Sequence, residues 1–158
     1  MGRLLSVILI FISCNTIGSE LIIKMQNREP IVLSHNDVLS HFEPTTFQTQ
    51  LPWVDGKKSF TGFKATSLVD FLGVNDAFSL SFIALNDYAA TSRIEDVIQY
   101  EPIVAYQMDG HHMKVRNKGP YWLIFNLDKY PEIDNAIFHS QMVWQIDEIL
   151  IHRRSDGN

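Results

Sequence analysis

The chain has 158 residues, 46% hydrophobic and 20% charged, with a formal net charge of -5. That is the length and composition of one globular domain, able to bury a core without disulfides or metals. The acidic balance lacks the basic footprint that phosphate-backbone binding needs, so no nucleic-acid partner is expected. The one cysteine, Cys14, cannot form an internal disulfide, a thiolate zinc site or an iron–sulfur cluster.

Residues 1–18, MGRLLSVILIFISCNTIG, read as a secretory signal peptide. Arg3 is its basic start, Leu4 to Ile12 its apolar stretch, and small and polar residues follow. The stretch is too short to span a bilayer. Cleavage after Gly18 would leave a chain without cysteine and with a net charge of -6, because Arg3 leaves and no acid does. One alternative is a lipoprotein signal with Cys14 lipidated, and another is a buried N-terminal helix or strand. The expected location is periplasmic or secreted, anchored through Cys14 in the lipoprotein reading.

Short apolar runs then alternate with turn signals. Leu21 to Met25 and Pro30 to Leu33 flank Gln26-Asn27-Arg28-Glu29 as a hairpin. Ser34 and Asp37 form a capping box for a short helix through Phe42. Thr45 to Leu51 is a strand, Asp55 to Lys58 a turn, and Ser59 to Phe63 the returning strand. Ser67 and Asp70 are expected to cap a helix over Leu68 to Leu72, which Gly73 ends. Ser79 to Leu85 is a strand. Ser92 and Glu95 are expected to box a helix from Ile94 to Tyr100 before Pro102. Ile103 to Met108 is a strand entering the Asp109-Gly110 turn, Tyr121 to Asn126 another, and Asp128 to Asn135 a polar loop or helical turn. Met142 to Ile151 is a long last strand. The pattern lacks a βαβ rhythm, and the expected class is α+β, mainly β, with mixed or antiparallel strands. The domain runs over residues 19–152, and 153–158 read as a frayed tail.

Four segments in this order resemble one family. They are Phe60-Thr61-Gly62-Phe63 running into Leu68 to Leu72; Ala84-Leu85-Asn86-Asp87-Tyr88; Ala105 to Gly110 followed by Lys118-Gly119-Pro120; and Met142 to Ile146 with Ile149. Together they resemble the sulfite-oxidase-type molybdopterin-binding domain, over roughly residues 20–151. Asn86-Asp87-Tyr88 stands where Asp-Gly-Tyr is usual, and Asn126 where proline is frequent. Enzymes of the family hold molybdenum through a cysteine in the segment matching Thr45 to Trp53, where this chain has none. Thr46 in that segment is a candidate ligand contact, but a threonine hydroxyl is no substitute for a thiolate at neutral pH. The chain therefore resembles the family's small exported, cysteine-less members. For those the resemblance implies a pterin as ligand without molybdenum, and a membrane-anchored signalling partner such as a cyclic-di-GMP enzyme. The alternative is a molybdopterin-dependent oxidoreductase of the same fold.

A pterin needs an aromatic plate, acceptors for its amino edge and a donor for its carbonyl. The matching segments supply Trp53 and Trp144 as plates, Asp87 beside Asn86 as acceptor, and Arg116, Lys118 and the Gly119 N–H as donors. Tyr88, at the position where the family's catalytic members carry a phenol into the cleft, would here position the ligand. Each has a plainer reading. Trp144 is a strand residue suited to the core, Trp53 an edge residue before a turn, Tyr88 a donor to a backbone carbonyl and Asn86-Asp87 a simple turn. The run 114–118 is equally a solvated basic loop or a contact for an acidic partner. His111-His112 is not a metal signal, since adjacent strand residues face opposite ways and the nearest other histidines, His35 and His139, stand at no informative spacing. No nucleophile elbow, phosphate loop or dinucleotide fingerprint is present.

Overall fold

The computed structural model describes residues 19–154; residues 1–18, read above as a signal peptide and containing Cys14, and residues 155–158 lie outside the described residues. Strands β1 (Leu21–Met25) and β2 (Ile31–Leu33) form the expected hairpin, with Leu21 opposite Leu33. In β1, buried Leu21, Ile23 and Met25 alternate with half-buried Ile22 and Lys24, the period-2 pattern of a one-sided strand. Helix α1 (His35–His41) starts on the expected capping box. Ser34 Oγ accepts from the Asp37 N–H, and the Asp37 carboxylate accepts from the Ser34 N–H.

Strands β3 (Thr45–Gln50) and β4 (Lys57–Lys64) pair from Thr45 with Gly62 to Gln50 with Lys57. Gly62 is obligatory there, because a Cβ would stand 2.2 Å from the Val104 carbonyl oxygen of the next strand. Helix α2 (Thr66–Phe71) begins earlier than the sequence implies. Its N-cap is Ala65 with no side-chain bond, so Ser67 lies inside the first turn and caps nothing. Gly73 ends it in the left-handed conformation, at φ +62°.

Strand β5 (Ala77–Ala84) turns into β6 (Ala89–Arg93), a strand the sequence reading lacks. Its existence overturns the second capping box. Ser92 pairs with Leu80 inside the hairpin, and its buried Oγ donates to Gln141 Oε1 at 2.7 Å. Helix α3 (Ile94–Tyr100) therefore has Arg93 as N-cap without a side-chain bond. Strand β7 (Ile103–Met108) folds back as β8 (His111–His112) over Asp109-Gly110, both at positive φ as a tight hairpin demands. Strand β9 (Tyr121–Ile124), helix α4 (Ala136–Gln141) and strand β10 (Trp144–Arg153) complete the described chain.

The ten strands form one mixed sheet in the order β2-β1-β10-β9-β7-β4-β3, with β5 also on β10, β6 on β5 and β8 on β7. Only β1 and β10 pair in parallel among the described strands. β10 is the hub: β5 follows one edge from Ile146 to Arg153, while β9 and β1 share the other. All four residues of β9 are buried, Phe60 meets Trp122 of β9 edge to face, and Phe63, Leu80, Phe82 and Ile149 are buried in the same core. Arg153, assigned to the tail above, pairs with Ala77 and donates to both Asp76 carboxylate oxygens at 2.8 and 3.0 Å. Among the described residues no helix is long and apolar enough to cross a membrane.

Candidate functional site

Three chain segments converge on a cleft of about 380 Å³. The turn after β3 supplies Trp53, the β5–β6 turn supplies Asn86 and Tyr88, and α4 with the start of β10 supplies His139, Ser140, Met142, Val143 and Trp144. Trp53 and Trp144 meet edge to face, centroids 5.6 Å apart and planes at 71°. Buried Trp122 backs both, at 6.2 and 6.1 Å, and donates from Nε1 to the Met142 carbonyl at 3.0 Å. The two outer indoles are half-buried, so each keeps accessible surface for a flat ligand.

The β5–β6 turn explains the chain's departure from Asp-Gly-Tyr. The Asp87 N–H donates to the Ala84 carbonyl at 2.9 Å, and the Ala84 N–H to the Tyr88 carbonyl at 2.9 Å. That is a three-residue hairpin loop whose last position is left-handed, and Asp87 occupies it at φ +65°. Asp87 is thus the backbone equivalent of the usual glycine, exposed at the turn and not among the cleft residues. Asn86 is the lining residue. Its Oδ1 accepts from the Tyr88 N–H at 3.2 Å, leaving Nδ2 for a ligand. The Tyr88 hydroxyl donates to the Ser140 carbonyl at 2.8 Å, and its ring lines the cleft. The backbone-carbonyl bond of the plainer reading is therefore present, made by a side chain that also lines the cleft.

Lys118 sits on the aromatic cluster, its Nζ 3.9 Å from the Trp144 centroid and 5.3 Å from that of Trp122. Burial holds its ammonium below the usual lysine range. The loop carrying it is strapped to β10. The Gln145 side chain donates to the Val115 carbonyl at 2.7 Å, and the Gln145 N–H to the Lys118 carbonyl at 3.0 Å. Gln145 itself is left-handed, at φ +58°, and the β9–β10 register shifts there.

The remaining residues singled out from sequence lie elsewhere. Thr46 is exposed on β3, bonded to Thr61 at 2.8 Å. Arg116 is exposed in the turn Val115–Asn117. The Gly119 N–H is not available to a ligand, because it donates to the Lys114 carbonyl at 2.9 Å. Conversely, the sequence reading did not place His139 and Ser140 in the cleft, because it lacked α4. His139 edges Trp53 at 5.4 Å and donates from Nε2 to Asp134 Oδ1 at 2.7 Å. The signal for α4 was Asn135, whose side chain caps it by accepting from Ile137 and Phe138.

The cleft's donors are one imidazole, one thioether, a hydroxyl-bearing Ser140, an amide and a phenol; among the described residues no thiolate or carboxylate lines it. That set does not fit molybdenum, a soft metal for which a protein thiolate is the expected ligand, and no chemical step is derived through it. It does fit a flat heteroaromatic: indole surface on one side and the Asn86 amide at the edge.

No protein-family profile matches the chain, and no curated protein matches it. Among solved structures it is similar to the crystal structure of the sulfane dehydrogenase SoxCD from Paracoccus pantotrophus. The TM-score is 0.61 at 16% identity, over 84% of this chain and 38% of that one. The chain thus spans about two-fifths of the length of that protein, and the likeness is one of fold. The fold is α+β, mainly β, of the sulfite-oxidase type.

Proposed function

We propose that the chain is an exported binding module that holds a pterin in the Trp53–Trp144 cleft, without molybdenum redox chemistry, and passes its occupancy to a membrane-anchored partner. The observation that carries the reading is the cleft itself: two half-buried indoles, an amide at its edge and, among the described residues, no thiolate. The ring stacks on indole surface, and Asn86 Nδ2 donates to its carbonyl. Reaching the covered face of Trp144 requires moving the Lys118 ammonium. Through the Gln145 strap this shifts the loop at 114–119, where Val115 and Arg116 are exposed. Occupancy can bias that surface by no more than the ligand's differential affinity for the two loop states. A cyclic-di-GMP enzyme as partner rests on the sequence resemblance.

A second reading, a molybdopterin-dependent oxidoreductase, is favoured by the fold likeness to a dehydrogenase and disfavoured by the donor set. The test is anaerobic titration with biopterin in its oxidised, dihydro and tetrahydro forms, read by tryptophan fluorescence and thermal unfolding. Saturable quenching and a Tm rise of several degrees are expected. Silence towards all three forms removes the binding-module reading, and stoichiometric molybdenum in the isolated protein replaces it with the enzyme.

A further inference from the structure

A second concave site lies outside the tryptophan cleft, a pocket of about 210 Å³ lined by Ser19, His35, Tyr106, His112, Met113 and Pro120. His35 opens α1, where the Ser34–Asp37 box sets the first turn. His112 is carried back along β7 by the Asp109-Gly110 turn, opposite Gln107. The two imidazoles, far apart in sequence, stand with centroids 4.7 Å apart and planes at 87°. Tyr106 flanks both, at 5.4 Å from His35 and 6.2 Å from His112.

The ring nitrogens are unevenly satisfied. His35 Nδ1 lies 3.4 Å from the Tyr121 hydroxyl, whereas Nε2 is shut off from solvent with no hydrogen-bond partner among the described residues. A buried, unpaired nitrogen is costly, and such groups in folded proteins call for an explanation. His112 meets the Gln107 amide through Nε2 at 3.4 Å, so Nδ1 is its nitrogen without a hydrogen bond among the described residues. His111 does not share the site; its Nδ1 donates to the Asp109 carbonyl at 2.8 Å.

We propose that His35 and His112, with Met113 in the same pocket, form a copper(I) site. Two imidazoles sharing one ion at ordinary metal–nitrogen distances bring their centroids to roughly 4.5–6 Å, which includes the separation found. Imidazole and thioether are the ligands a soft monovalent copper ion accepts. Among the described residues no three histidine, cysteine or acidic side chains converge, so a zinc ion that needs four such donors is not served, whereas low-coordinate copper(I) is. The Tyr121 hydroxyl, accepting from Nδ1–H, would fix the His35 tautomer with Nε2 as lone-pair donor, as outer-shell partners of metal ligands do.

The test uses the full chain carrying Cys14→Ser, so that its one thiol does not compete, titrated anaerobically with copper(I) against the indicator ferrozine. One equivalent withheld from the indicator is expected, with affinity falling at least tenfold in His35→Gln and in His112→Gln and unchanged in His111→Gln. His112 is exposed, so its variant keeps the fold, which near-ultraviolet circular dichroism checks. No retained copper(I), equal retention by His112→Gln, or tighter binding of zinc(II) than of copper(I) overturns the proposal. Biopterin titration of His112→Gln is expected to match the parent, so the two sites stand or fall separately.

Discussion

The tryptophan cleft and the histidine pocket make opposite use of aromatic side chains. The cleft leaves its rings open. Tyr88 is 49% exposed in its lining, and Trp53 and Trp144 are half-buried. The pocket keeps His112 exposed but sets its histidines against closed-in tyrosines, with Tyr106 at 5% and, beside His35, Tyr121 at 0%, where burial pushes the Tyr121 hydroxyl up to about 12. An open aromatic wall selects by shape and stacking; a closed one lowers the local dielectric and makes each unpaired nitrogen count. The two meet at one loop. Lys118 covers Trp144, Met113 and Pro120 line the histidine pocket, and Gly119 lies between them.

Gly119→Ala breaks both regions together and is the largest effect expected. A Cβ there would stand 2.0 Å from the Met113 carbonyl oxygen, which is backbone and has nowhere to go. The loss should be about 3 kcal/mol or more in denaturant unfolding. A midpoint near the parent's would show that the loop relaxes independently of both sites.

Trp144→Ala separates the regions. It removes the contacts with Trp53 and Trp122 and the seat of Lys118. The cost should be about 2 kcal/mol, with loss of the biopterin fluorescence response. Copper(I) retention should be untouched, and a joint loss at intact fold would mean that the two sites are coupled.

The pocket alone should answer to mild acid. His35 has a folded-state value below its ordinary 6.5, so the unfolded chain binds the extra proton. Stability from this residue is present above pH 6.5 and is lost as pH falls from there through the folded value. The groups facing His35 are His112, Tyr106 and Tyr121. Asp37, Asp109, Asp128 and Glu101, all held low by hydrogen bonds or lysines, act at more acid pH. Thermal unfolding of His35→Gln between pH 5 and 7 should therefore be flatter than the parent's. An unchanged slope would assign the dependence elsewhere.

The smallest effect belongs to the cleft's rim. Asp87→Gly relieves a left-handed non-glycine residue, and should raise stability by about 0.5 kcal/mol without weakening biopterin binding. A large loss of binding would restore the carboxylate to the role of ligand acceptor.

Local features were readable wherever neighbours in the chain suffice. The first capping box, the β1–β2 and β3–β4 hairpins and the glycine stop after α2 came from short-range chemistry, and each is present. Ser67 and Ser92 misled for the same reason. A serine before an apolar run can cap, but a hairpin partner claimed Ser92 first, and nothing within four residues encodes that pairing. Four of the residues chosen for the cleft do line it: Trp53, Asn86, Tyr88 and Trp144. Asp87 misled because the turn's geometry, and not its charge, sets its place.

Composition, turn residues and apolar alternation were enough to specify a mainly β domain and where most of its strands begin, because those preferences act over a few residues. The approach of His35 to His112, the seat of Lys118 on Trp144 and the joining of α4 to the β5–β6 turn across the cleft were settled by long-range packing. Such contacts depend on sheet order and register, quantities to which every strand contributes and which no single segment carries.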